Sequence, residues 1–141
     1  MDKKKVVIIG GVAGGATTAA RLRRLDENVE IIILEKGDYI SYANCGLPYY
    51  IGDVIKERES LLLQTPEAMK ERFNIEVRTG NEVLSINREE KNVTVRKAAD
   101  GKDYKESYDT LVIATGSSPI IPPIDGVDGD GIFTLWNIPD T

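Results

Sequence analysis

The sequence predicts an α/β domain, a parallel sheet with helices plus an antiparallel β-meander. Three observations predict it. A short apolar run, Lys5–Ile9, ends in glycines and is followed by a helical stretch and a second apolar run. A later apolar run, Thr110–Ala114, ends in Thr115-Gly116. Between them lie segments of strand character divided by turn residues. Continuous apolar runs bounded by glycine are the pattern of strands buried on both faces, which parallel sheets require.

Lys5–Ile9 is expected to be the first buried strand. Gly14–Leu25 is rich in Ala, Leu and Arg and sets its apolar positions on one face, as a helix does. Asp26-Glu-Asn is a polar break. Val29–Leu34 is the second buried strand, ending at Glu35, and the crossover between the two is expected to be right-handed. Tyr39–Tyr50 reads as a loop leading into a short helix. Thr65 caps a further helix with Pro66 at its first position, running to about Arg72 or Phe73. Ile75–Arg78, Glu82–Asn87, Asn92–Ala98 and Tyr104–Tyr108 have strand character. Turns at Thr79-Gly80-Asn81, Arg88–Lys91 and Asp100-Gly101 divide them, and the last three should form the meander. Thr110–Ala114 adds one more buried strand. Beyond Ser117 proline and glycine dominate, so 1–116 reads as the domain and 117–141 as a connector.

With 141 residues, 41% of them hydrophobic, the chain can bury one modest core. Its net charge of −5 argues against nucleic acid as a main partner, because phosphate contact needs a basic patch. Lys3–Lys5 followed by Val6–Ala20 imitates a signal peptide only loosely, since glycines interrupt the apolar stretch. No apolar run is long enough to cross a membrane. A cytoplasmic location is expected, and a single cysteine, unable to form an intrachain disulfide, agrees with it. There is no histidine, which removes the commonest general base and metal ligand. With one cysteine besides, no zinc site of ordinary ligands can be built, and no metal is expected.

Three motifs carry chemistry. In Gly10-Gly-Val-Ala-Gly-Gly15, glycines at a strand-to-helix turn let the backbone approach a pyrophosphate, and the helix N-terminus supplies N–H donors. Glu35 at the end of the next strand can accept both hydroxyls of an adenosine ribose. Val12 stands where the dinucleotide fingerprint has its middle glycine. A bland glycine turn with a solvated Glu35 is the weaker reading, because strand, helix and acidic residue all stand in place. The second motif is Ser41-Tyr-Ala-Asn-Cys-Gly-Leu-Pro-Tyr49. It follows Glu35 on the side of the sheet where ligands of such folds lie, beyond the carboxyl ends of the strands. Cys45 is expected at or near a helix N-terminus, where the dipole favours a thiolate. A two-cysteine reductase would have its second cysteine at position 50, which is Tyr50, so any disulfide of Cys45 must use a sulfur from the substrate. A lone cysteine is more often a small buried apolar residue; the surrounding motif favours the reactive reading. The third motif, Tyr108–Gly116, is an apolar strand closed by a tight Ala-Thr-Gly turn able to approach a bound cofactor.

These residues resemble the single-cysteine branch of the pyridine nucleotide-disulfide oxidoreductases, in particular the coenzyme A-disulfide reductase group with its persulfide and polysulfide reductases. The resemblance covers essentially the whole chain, including Thr65-Pro-Glu-Ala and Arg72-Phe-Asn-Ile75. It implies a Rossmann-like, glutathione-reductase-like domain that binds FAD. Gly10, Val12, Ala13, Gly14, Gly15, Glu35 and Lys36 would hold the cofactor, with Val83, Ala114, Thr115 and Gly116 beside it. Cys45 would be catalytic, forming a mixed disulfide with the thiol substrate. Ser41, Asn44, Arg21 and Arg24 would line the path of the acidic nucleotide part of coenzyme A; the two arginines read equally well as a solvated helix face. The resemblance further implies NAD(P)H as co-substrate, bound by a second glycine-rich unit that this chain does not contain, and a homodimer. The chain by itself is therefore expected not to turn over NAD(P)H. The same branch holds NADH oxidases and peroxidases, which cycle the cysteine through a sulfenic acid. Ala13 stands where peroxidase-like members carry a histidine, which leans against peroxide chemistry. A water-forming oxidase and a non-catalytic FAD-binding redox module stay open as alternatives.

Overall fold

Branching at Cβ makes Val and Ile favour extended backbone. The two runs richest in them, β1 (Lys5–Ile9) and β2 (Glu30–Leu34), lie side by side and parallel, with Val7 opposite Ile32. The computed structural model describes residues 3–141; Met1 and Asp2, the start of the expected domain, lie outside the described residues. Helix α1 (Gly14–Leu25) makes the crossover between the first two strands. After it come α2 (Leu47–Ile51), α3 (Pro66–Phe73), β3 (Glu76–Arg78), β4 (Asn81–Asn87), β5 (Asn92–Lys97), β6 (Asp103–Ser107) and β7 (Thr110–Ile113). One sheet is parallel, in the order β3-β2-β1-β7, and the other is the antiparallel β4-β5-β6 meander.

The pleat explains the unbroken apolar runs. Val6, Ile8, Ile31 and Ile33 face the helical layer and meet Ala19 of α1 and Met69 of α3. The residues between them, Val7, Ile9, Ile32 and Leu34, face the meander and meet Val93 and Val95 of β5. The parallel sheet is thus the middle layer. Each fully buried Ile or Leu stabilises it by about 1.5–3 kcal/mol relative to exposure.

Helix α3 has the ends its sequence calls for. The Thr65 hydroxyl oxygen accepts from the Ala68 N–H at 3.2 Å, Pro66 opens the helix, and Asn74 closes it in the left-handed region at φ 49°. The strand ends differ from expectation by about a residue. Val29 and Ile75 are buried but precede β2 and β3, and β7 stops before Ala114. Two 3-10 turns not foreseen in the sequence, Asn44–Gly46 and Arg58–Leu61, flank α2.

The stretch after Ser117, expected as a connector, has little regular structure, yet its end returns to the domain. A short turn at Ile138–Asp140 inserts Ile138, fully buried, against Leu47 and Leu61. An isoleucine in a proline- and glycine-rich tail stays buried only where a separate apolar cluster receives it, and α2 with its following turn supplies that cluster.

Candidate functional site

The glycines of the first turn do different work. Gly10 sits at φ 95°, and a Cβ there would come within 2.2 Å of the Ala114 carbonyl oxygen. A Cβ on Gly15 would lie 1.7 Å from the Gly10 carbonyl oxygen, so the start of α1 rests directly on the end of β1. A Cβ on Gly14, by contrast, would make only an ordinary 3.6 Å contact with Ala114 Cβ. Gly10 and Gly15 let the chain pack on itself, while Gly14 leaves space open. α1 begins after Ala13 with no side-chain cap and no acidic residue in its first turn. Its first N–H groups and the positive end of its dipole are left for an anion.

Glu35 follows β2 directly, with its carboxylate between two backbone donors. Oε2 accepts from Gly11 N and Oε1 from Gly37 N, both at 2.8 Å. Its own N–H donates to the Arg78 carbonyl at 3.0 Å and its carbonyl accepts from Asn81 N at 2.9 Å. A carboxylate offers about four lone-pair sites, so two N–H bonds leave room for further donors. Only 9% of Glu35 is exposed, and that part opens into the cleft.

The cleft has a volume of about 430 Å³, within the usual range for ligand sites. The start of α1 supplies one wall with Gly10, Val12, Ala13 and Gly14, and Ala114–Gly116 face it across the sheet end. Glu35 and Lys36 form the floor beside Tyr42 and Asn44. Burial, helped by the Glu35 charge, pushes the Tyr42 phenol above its ordinary value. Nine of the eleven residues expected around a cofactor line this cleft; Gly15 and Val83 do not. Gly15 is buried beneath the wall, and Val83 of β4 packs on the cluster of Val7 and Ile9. Sequence reasoning missed Gly37, Asp38, Tyr39 and Tyr42, as well as Ser117, Ser118 and Trp136–Pro139. The signal for the last group was Trp136 and Ile138, large apolar residues in a tail otherwise read as a linker.

The thiol loop is tied to the glycine turn. Ser41, in the left-handed region at φ 44°, donates its N–H to the Gly11 carbonyl at 2.9 Å. Its carbonyl accepts from Leu63 N, and Ala43 N donates to the Leu61 carbonyl. Ser41 therefore holds the loop and does not line the cleft; Asn44 does. Cys45, the next residue, is exposed within the Asn44–Gly46 turn, just ahead of α2. At five residues, α2 has few aligned peptide dipoles to offer it. A Cβ on Gly46 would meet Leu61 Cδ2 at 2.8 Å, so a larger residue there would have to displace the Leu61 side chain. Arg21 and Arg24 are exposed on α1, outside the cleft lining. Between them Arg23 is structural, bonding the carbonyls of Phe73 and Asn74.

The family model for pyridine nucleotide-disulphide oxidoreductases matches residues 4–141. A coenzyme A disulfide reductase of Staphylococcus haemolyticus (strain JCSC1435) is 44% identical over 138 residues, 98% of this chain and 31% of that protein. The chain thus spans under a third of the length of the curated relatives it matches. The reduced CoADR-RHD of Bacillus anthracis superposes with a TM-score of 0.93 at 52% identity, over 99% of this chain and 25% of that one. A NAD-dependent persulfide reductase from A. fulgidus gives 0.90 at 37% identity, over 96% of this chain and 26% of that one.

Proposed function

Because the chain belongs to the pyridine nucleotide-disulphide oxidoreductase family, we propose that its cleft holds FAD and that Cys45 exchanges with a coenzyme A-type disulfide or a persulfide. The carrying observation is that the uncapped start of α1, Glu35 and Ala114–Gly116 converge on one cleft that also reaches Asn44, the neighbour of the sole thiol.

The residues fit the cofactor. The N–H groups after Ala13 suit a pyrophosphate, and the open space at Gly14 lets it approach. Glu35, pinned by two backbone donors, presents its remaining lone pairs to ribose hydroxyls without having to reorganise. When bound, FAD supplies a two-electron relay between NAD(P)H, the proposed reductant, and the sulfur chemistry. The protein's own step is thiol–disulfide exchange. The Cys45 sulfur, as thiolate, attacks one sulfur of the substrate; the Cys45–substrate S–S bond forms, the substrate S–S bond breaks, and one product leaves as thiolate. Tyr50 offers no second thiol, so the mixed disulfide persists until it is reduced. A cytoplasmic setting, which keeps such a thiol reduced, suits this chemistry. A homodimer is the proposed assembly, with 1–116 as its cofactor-binding part.

The test is Cys45→Ser in the complete protein. Reduction of coenzyme A disulfide should be abolished with FAD still bound. Near-normal turnover would contradict the assignment, and NADH-driven oxygen consumption without disulfide turnover would move it toward an oxidase.

A further inference from the structure

We propose that Arg58, which does not line the cleft, is the positioning residue that holds the tail against it as a cofactor wall; the inference rests on the reading of the cleft as an FAD site. Arg58 stands in the 3-10 turn Arg58–Leu61, half-buried. Its Nη2 donates to the Ile138 carbonyl at 3.0 Å, and Nε reaches the Thr141 hydroxyl at 3.4 Å. Nη1 reaches the Tyr39 hydroxyl at 3.4 Å, and the guanidinium lies 5.6 Å from the centre of the Tyr39 ring.

Tyr39 and Ile138 both line the cleft, and they come from segments 99 positions apart (138 minus 39). One planar fork therefore joins two walls distant in sequence, which otherwise meet only through the cluster of Leu47, Leu61 and Ile138 on which Tyr39 packs. Lysine could not reproduce this, since an ammonium is a point donor and does not stack as a guanidinium does. Underneath, Ile138 shares a buried cluster with Leu61, on the arginine's own turn, and with Leu47, two residues after Cys45. The wall, the latch and the thiol loop thus rest on one small core. Free of the latch, the tail has only Ile138 and a short turn to keep it seated, and the cleft would lose the side that Trp136 and Asn137 provide.

Trp136 is the chain's one tryptophan, so its emission reports on this wall alone. The experiment uses the purified chain, its Arg58→Ala variant and its Arg58→Lys variant. Each is titrated with FAD, and each is quenched with acrylamide in the absence of FAD. Trp136 is 38% exposed in the seated tail, so Arg58→Ala should bind FAD at least tenfold more weakly and should raise acrylamide quenching of Trp136 above the parent's, while Arg58→Lys should fall between it and the parent in both readouts. Parental FAD affinity or parental quenching in Arg58→Ala would overturn the proposal. Should Arg58→Ala fail to fold, Arg58→Lys decides: parental values in either readout would overturn it, and FAD binding weaker than the parent's together with quenching above the parent's would support it. A parent chain that binds no FAD would instead overturn the flavin reading, and the acrylamide readout would still decide whether Arg58 holds the wall.

Discussion

Glu35 serves the fold and the cleft with the same carboxylate. The N–H of Gly11, a buried residue, has Glu35 as its acceptor, so Glu35→Ala strands a donor away from water. That should destabilise the chain by ~1–3 kcal/mol in urea denaturation, whether or not any cofactor is present. The glycine pair gives a cleaner separation. Gly15→Ala drives a methyl into the Gly10 carbonyl and should destabilise toward the upper end of the ~1–3 kcal/mol seen for overpacking. Gly14→Ala meets no obstacle within the fold, so stability should hold or rise slightly. Its methyl enters the cleft, and FAD affinity should fall about tenfold, or ~1.4 kcal/mol. Equal losses of stability in the two variants would contradict this division of roles. The residues legible in the sequence were those whose spacing encodes a turn, Gly10 to Gly15 with Glu35. Tyr39 and Tyr42 were not, because nothing in a tyrosine's local pattern says whether its ring meets a cofactor or a core. Ser41 was legible as part of a motif but not in its role, which lies in its backbone conformation.

Among the elements, β6 ties the two sheets together through a buried charge. Glu106 of β6 accepts from Lys5 of β1 and from Arg78 of β3 and is only 8% exposed. Burial by itself would raise its carboxyl, but the hydrogen bonds from Lys5 and Arg78 outweigh it and hold the group below its ordinary value of 4.5. A carboxylate with a depressed folded pKa stabilises fully above its unfolded value and loses that contribution as pH falls through the folded one. Lys5 is shifted the other way, raised above 10.5 chiefly by its hydrogen bond to Glu106, so its contribution is full below that value and fades as pH rises past it. Stability should be flat through neutral pH and fall on acidification below about pH 4.5. Glu106→Gln should lower the plateau by ~3 kcal/mol and make the acid limb shallower, as read by chemical denaturation across pH. An unchanged acid limb would show that the charge does not join the sheets. The strands β1, β2 and β7 were legible because apolar runs mark them, the meander strands because turn residues divide them, and the crossover followed from the strand–helix–strand order. Glu106 was not, since a charged residue in a strand ordinarily reads as facing water.

At the scale of the whole molecule, the tail is where sequence and structure part. Its prolines and glycines read as a linker, and much of it is open to solvent, with Phe133 88% exposed. Only its last turn is seated, through Ile138 and Arg58, contacts more than 75 positions apart in sequence that no local pattern can announce. The glycine-rich turn is a single fingerprint and is occupied in the proposed function by FAD. Hydride transfer needs a nicotinamide held against the flavin, so the isolated chain loaded with FAD should not bleach at enzymatic rates, on the order of 1–1000 per second, when mixed anaerobically with NADH or NADPH. Bleaching at such rates would place a nicotinamide site within these residues. FAD titration of the purified chain, followed by quenching of Trp136, decides whether the cleft between the start of α1 and Glu35 is the FAD site. Saturable one-to-one binding is expected, weakening at least tenfold, or ~1.4 kcal/mol, in Glu35→Ala. No saturable binding, or binding indifferent to Glu35→Ala, would contradict it.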